Sequence, residues 1–208
     1  MLSVLVTNAK GGAGKTTLAV TLATAFASEG HKTALADVDR QGSALGWLAL
    51  RPGDRPPIAG LDWHKSAGKV QDGVERLVID APAGARLKHV DELQGRADLV
   101  VVPVQPSLFD ERSTGDFLAR LDRLKPIRKG RKAVLVVANR TKPRGRASQR
   151  LVDFLKREGF PPVASLSERA AYQELAIDGL GAFDPEGRRL VEIRRDWEPL
   201  LRAISERA

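Results

Sequence analysis

The stretch KGGAGKTT, residues 10–17, constrains the fold of this chain more than any other feature, because of what flanks it. Before it runs LSVLVTN (2–8), an almost continuous apolar segment. After it, KTTLAVTLATAFASEG (15–30) is apolar at Leu18, Leu22, Ala25 and Phe26 and stops at Gly30, a natural helix C-cap. A glycine-rich loop between a buried strand and a helix lets backbone N–H groups turn inward around an anion, and the helix N-terminus adds positive potential. In such a loop Gly11, Gly12, Ala13 and Gly14 form the cradle, with Thr17 beside it. Lys15 reaches the β- and γ-phosphates of a nucleotide, and the Thr16 hydroxyl ligates Mg²⁺. The strict spacing asks for glycine at position 9, where this chain has Ala9; Gly11, Gly12 and Gly14 supply the flexibility instead. Such a pocket needs Lys15 and leaves Lys10 unexplained. On the residues alone, Lys10 reads as a surface lysine.

Four more apolar runs match the first: KTALADVD (32–39), RLVIDAP (76–82), DLVVVPVQP (98–106) and KAVLVVANR (132–140), with PPVASLS (161–167) a weaker sixth. Continuous rather than alternating apolar residues suit parallel strands covered on both faces. Helical patterns lie between them. STGDFLARLDRLKP (113–126) opens on a Ser/Thr cap and ends before Pro126, and SQRLVDFLKREGF (148–160) closes on a glycine. This alternation predicts an α/β fold: a single doubly wound, mostly parallel sheet with helices on both faces, residues 1–208 forming one domain. The Pro/Gly-rich RPGDRPPIAG (51–60) reads as a surface loop.

Composition removes several classes of function. No apolar run reaches the length of a membrane span, and the N-terminal residues lack the charged region and cleavage site of a signal peptide, so a cytoplasmic protein is expected. With no cysteine there are no disulfides, thiolate metal sites or iron–sulfur clusters, and His31, His64 and His89 show no metal-ligand spacing. The net charge of +8 is uneven. Residues 1–100 carry 12 Lys and Arg against 11 Asp and Glu, which leaves 22 against 15 in the remainder. Between Arg120 and Arg150 a single acid, Asp122, stands among many bases. Such an imbalance fits a polyanionic partner or a solvated surface.

KGGAGKTT also resembles the deviant Walker A loop of the ParA/MinD-type ATPases, closest to the small ParA-like members, and the resemblance covers nearly the whole chain. It implies a P-loop NTPase fold, ATP and Mg²⁺ as cofactors, and slow hydrolysis of ATP until a partner completes the site. The family lysine at the place of Lys10 crosses to the phosphates of a second subunit, so the resemblance implies a homodimer in the ATP state. ADVDRQGSA (36–44) resembles the family's D-x-D-x-Q switch segment. Asp39 would orient or activate the attacking water and Asp37 support the Mg²⁺ shell. Most relatives have proline where this chain has Arg40.

LVIDAPAG (77–84) resembles the Walker B strand, with Asp80 holding Mg²⁺ and Ala83 where relatives often carry a second proline. Asn139, at the end of the fifth strand, would read the adenine edge; asparagine there is also an ordinary turn former. Arg140 either stacks on the base or begins the basic loop.

SERAAYQELAIDGLG (167–181) resembles the late helical segment of partition ATPases, with Arg169 toward DNA and Tyr172 in the core. The implied partners are DNA bound without sequence preference and an activating, ParB-like adaptor. Lys142, Arg144, Arg146, Arg150 and Arg169 are the candidate DNA contacts, with Arg188, Arg189, Arg194 and Arg195 behind them. The product would be a nucleoid-associated ATPase that partitions or positions a plasmid, chromosome or other cargo. The alternatives are a MinD-like membrane-associated ATPase and a small P-loop biosynthetic enzyme. A membrane anchor would need Leu190, Ile193, Trp197, Leu200, Leu201 and Ile204 exposed; that stripe is expected to face the core.

Overall fold

The structure is a computed structural model that describes residues 1–82, 84 and 87–207. Seven strands form one sheet: β1 (Leu2–Val6), β2 (Thr33–Asp37), β3 (Ile58–Asp62), β4 (Arg76–Asp80), β5 (Leu99–Val104), β6 (Ala133–Thr141) and β7 (Ala164–Ser167). Their order is β3-β2-β4-β1-β5-β6-β7, and every pair is parallel. The sheet is therefore wholly parallel where a mostly parallel one was expected. β1 lies between β4 and β5, where the winding reverses, and in open α/β sheets ligands sit in the crevice at that point.

Side chains alternate across β1, so Val4 and Val6 face one layer and Leu5 the other. The first layer is built from α1 (Lys15–Ser28), α2 (Ser43–Ala49), α7 (Ala171–Ile177) and α8 (Arg188–Ser205). The second uses α3 (Leu87–Gln94), α4 (Leu108–Asp122) and α6 (Arg146–Arg157), with the short α5 (Lys125–Arg128) beside them. Both faces of the central strands are covered, which is why their sequences read as unbroken apolar runs.

Several elements depart from the sequence reading. Residues 51–60 are not all loop, because β3 begins at Ile58 and pairs with β2 from Thr33↔Ile58 to Asp37↔Asp62. α4 starts at Leu108, after Ser107 in extended conformation, and Thr114 is buried within it instead of capping it. Pro126 sits in the first turn of the separate short helix α5, which opens at Lys125. The C-terminal stripe faces the core as expected: Leu190, Ile193, Trp197, Leu200 and Ile204 are buried, and Leu201 packs partly buried beside them. Among the described residues no helix is long and apolar enough to cross a membrane.

Candidate functional site

The loop after β1 is fastened before its first glycine. Asn8, buried, donates through Nδ2 to the Pro103 carbonyl (2.6 Å) at the end of β5 and accepts the Lys10 amide (3.2 Å). Gly12 and Gly14 have φ of +77° and +85°, a region open to glycine and strained for other residues. The Gln105 side-chain amide donates to the Gly12 carbonyl. Asn139 Nδ2 donates to the Ala13 carbonyl (2.9 Å), and a Cβ on Gly14 would collide with that same nitrogen. Three side chains outside the glycine run, those of Asn8, Gln105 and Asn139, thus hold the loop in shape. Asn8 and Gln105 were not singled out by the sequence, where each is one polar residue at a strand end.

Lys15 opens α1 and is buried, with Nζ donating to the Lys10 carbonyl (3.1 Å). Burial lowers its ammonium pKa, while Asp80 and Asp39 oppose that shift. β2 and β4 are in register, so Asp37 and Asp80 end adjacent strands side by side. Asp80 accepts a hydrogen bond from the Thr16 side chain, yet its Oδ1 is buried without a partner. Its carboxyl is pushed up to about 7, first by burial and then by Asp37 and Asp39, with Thr16 and Lys15 pulling the other way. A buried carboxylate with a vacant oxygen beside a threonine hydroxyl fits a divalent cation. Among the described residues no cluster of three His, Cys, Asp or Glu could hold a metal alone. A cation here would take Thr16, Asp80 and phosphate oxygens.

Asp37 uses its oxygens to shape the next segment: Oδ1 accepts the Asp39 amide (3.0 Å), and Oδ2 accepts those of Ala44 (2.8 Å) and Leu45 (3.1 Å) at the start of α2. It sits beside the expected metal position and anchors the switch segment. Asp39 is half-buried and closes a turn by accepting the Gln41 amide (3.0 Å), while Arg40 is exposed and Gly42 takes φ +64°. The turn forms without the family's proline. Ala83 lies outside the described residues.

The expected Asn139 and Arg140 line a cavity of about 340 Å³ with Gly14, Thr17, Leu18 and Tyr172. Arg169 lines it too, donating to Glu192 (3.0 Å), so the structure places this residue at the cavity beside the loop. The other four candidate DNA contacts gather elsewhere. Lys142 and Arg144 lie on the β6–α6 loop, Arg146 and Arg150 follow one helical turn apart on α6, and all four are exposed. Lys142 lies 3.7 Å from Glu168. In α8, Arg194 donates to the carbonyls of Ala182 and Pro185, which gives it a structural job, and Arg189 pairs with Glu174 at 2.8 Å.

Ligand-free protein should respond to pH through Asp80. A carboxyl whose folded pKa is raised holds its proton more tightly when folded than unfolded. That contribution is complete below pH 3.8 and disappears as pH rises toward 7. Melting temperature in the absence of Mg²⁺ is expected to fall through that window. Asp80→Asn, which stays neutral, should flatten the fall; an unchanged profile would show that another group causes it.

A parallel sheet with a glycine loop at its switch point, a buried lysine and two strand-end aspartates defines a P-loop nucleotide-binding protein. Residues 4–182 match the family model described as CobQ/CobB/MinD/ParA nucleotide binding domain, and the chain belongs to that family. The maintenance of carboxysome distribution protein A of Gloeobacter kilaueensis is 30% identical over 214 residues, covering 93% of this chain and 89% of that protein. Its namesake from Halothiobacillus neapolitanus is 25% identical over 185 residues, covering 86% and 85%. Among solved structures, an ATP complex of McdA from Cyanothece superposes with a TM-score of 0.73 at 15% identity, covering 100% of this chain and 96% of that one. That likeness concerns the fold.

Proposed function

We propose that residues 1–208 act as one ATPase domain that binds ATP with Mg²⁺, dimerises in that state, and binds DNA without sequence preference to position a cargo. The observation that carries the reading is the gathering of Lys15, Thr16, Asp37, Asp39 and Asp80 around a loop that also bears Lys10. Lys15 would bind the terminal phosphates, Thr16 and Asp80 would hold Mg²⁺, and Asp37 would fix the turn carrying Asp39. Bound Mg²⁺ would neutralise charge on the β- and γ-phosphates. Asn139 and Arg140 would meet the base in the cavity beside the loop. A lysine delivered from a second subunit adds charge to the polyphosphate only when two chains meet, as an arginine finger does, and Lys10 is the residue for that.

Two relatives named for carboxysome distribution support a carboxysome-like body as cargo, with plasmid or chromosome partition the next reading. A ParB-like partner on the cargo would stimulate hydrolysis and release the dimer. The inward stripe of α8 speaks against this helix itself as a membrane-binding surface.

The test is binding to non-specific duplex DNA with no nucleotide, with ADP and with a slowly hydrolysed ATP analogue. Binding is expected with the analogue alone. It should fall about a hundredfold between about 50 and 200 mM salt if about four phosphates are neutralised. Lys10→Ala is expected to keep analogue binding but lose the dimer and the DNA affinity. DNA binding in no nucleotide state would overturn the reading and turn attention to a small-molecule substrate.

A further inference from the structure

The helix that follows the switch segment is held in an unusual way. In α2 the buried residues are Ala44 and Trp47. Between this helix, α1 and α7 lies a cavity of about 260 Å³, lined by Thr17, Val20, Trp47, Leu50, Leu175 and Leu180 among others. Close packing therefore does not fix α2 on that side. Polar contacts hold its two ends. At the N-terminal end Asp37 Oδ2 accepts the amides of Ala44 and Leu45.

At the other end, Arg51 forms a two-pronged ion pair with Asp184: one guanidinium nitrogen is 2.6 Å from Oδ1 and the other 2.8 Å from Oδ2. The side chains are 5% and 0% exposed. The remaining hydrogen-bonding capacity is used locally. Arg51 also donates to the Pro56 carbonyl (3.2 and 3.0 Å), and Asp184 Oδ2 accepts the Gly181 amide (2.7 Å). Trp47 Nε1 donates to the Leu180 carbonyl (3.3 Å). At Gly179, φ +65°, a Cβ would run into the backbone of Leu50 and Arg51.

The far side of this contact leads into α7 and α8. Residues 178–187 join those helices. Phe183 meets Trp197 of α8 edge-on at 6.3 Å, and Trp197 donates to the Tyr172 hydroxyl of α7 at 2.7 Å. Arg194 of α8 donates to Ala182 and Pro185. An unbroken set of directional contacts thus runs from Asp37 beside the phosphate loop, along α2, to α7 and α8.

We propose that Arg51 and Asp184 are a positioning pair that ties the C-terminal end of α2 to residues 179–184, so that the switch segment and the α7–α8 surface move as one unit. A buried ion pair is a poor choice for stability alone, because an apolar pair of similar volume often serves as well. Its value here is direction: a planar guanidinium against a carboxylate fixes orientation as well as distance. The reading of what drives the motion rests on the nucleotide-switch function proposed above. The linkage itself can be measured without nucleotide.

The experiment is amide hydrogen exchange on the full chain, wild type and Asp184→Asn, first without nucleotide and then with ADP and with an ATP analogue whose affinity is measured in parallel. Without nucleotide, Asp184→Asn is expected to speed exchange at least about tenfold in both 43–49 and 179–187, leaving β1 and β5 unchanged. Faster exchange confined to 179–187, or an equal rise throughout the sheet, would overturn the proposal. With the analogue, wild type should change exchange in both segments, and Asp184→Asn in 43–49 alone, at an affinity within about threefold of wild type. A variant that still transmits the change to 179–187 would overturn it equally. If the wild type binds neither nucleotide, the ATPase reading fails while the nucleotide-free comparison still decides the linkage. Should Asp184→Asn not fold, the double variant Arg51→Met, Asp184→Leu replaces the pair at similar volume. Joint opening of both segments in it supports the pair, and wild-type exchange refutes it.

Discussion

Lys15→Ala is expected to weaken nucleotide binding by about 10- to 100-fold and to slow hydrolysis by a further 10²- to 10³-fold, while the chain stays folded. The binding figure follows from losing charge-assisted hydrogen bonds, about 1.5–3 kcal/mol. The rate figure follows from removing a donor aimed at charge that develops in the transition state. Folding should survive because Lys15 Nζ donates to a carbonyl of its own loop, at Lys10, and its burial already disfavours the charge it carries. The loss would not stop at the lysine. Lys15 is one of the groups that pull the Asp80 pKa down against burial and the neighbouring aspartates. Without it, Asp80 should protonate more readily and hold Mg²⁺ less well at neutral pH. Titrating Mg²⁺ against a fluorescent nucleotide at pH 6.5 and 8 separates the two effects. The variant should need more Mg²⁺ than wild type, and the gap should widen at the lower pH. Binding and hydrolysis within threefold of wild type would remove Lys15 from the site.

Strand-end positions made most of this site legible in the sequence. β1, β2, β4, β5 and β6 are buried on both faces, so their residues form unbroken apolar runs, and the chemical groups stand where those runs stop: the loop after β1, Asp37, Asp80 and Asn139. β3 escaped because it is an edge strand of five residues with a glycine at its centre, directly after a Pro/Gly-rich stretch, and it buries just Ile58 and Leu61. The start of α2 escaped for a different reason. Its first amides are satisfied by Asp37, seven and eight residues earlier, instead of by an adjacent cap, and Gly46 weakens the local helical pattern. The α4 start shows a local signal overridden: Ser113 and Thr114 look like a cap, but Phe117, Leu118 and Leu121 bring the helix against the sheet and it extends back to Leu108. Contacts such as Arg51 with Asp184 span 133 residues, and no pattern along the chain marks them.

Asp39→Asn is expected to separate binding from hydrolysis, lowering turnover by about 10²- to 10⁴-fold, the range for a group that positions or deprotonates the attacking water. The substitution is conservative where the turn is concerned. An asparagine Oδ1 can still accept the Gln41 amide, so the segment between Asp37 and α2 should keep its shape. What disappears is one negative charge among three carboxylates. Asp39 raises the Asp80 pKa and helps Lys15 stay protonated, so its neutral replacement leaves Asp80 more readily ionised and Lys15 slightly less cationic. These changes oppose each other at the phosphates, and nucleotide affinity should remain within about threefold of wild type. The variant should therefore collect in the ATP-bound state, with DNA association that outlasts that of wild type and does not decay as nucleotide is consumed. Single-turnover hydrolysis measured beside nucleotide dissociation decides the matter. A turnover within threefold of wild type would mean that water is oriented elsewhere, and a parallel loss of affinity would make Asp39 a residue of the binding pocket instead of the reaction. Retained binding with lost turnover leaves one role for the half-buried carboxylate that Asp37 holds beside the phosphate loop, that of setting the lifetime of the ATP state.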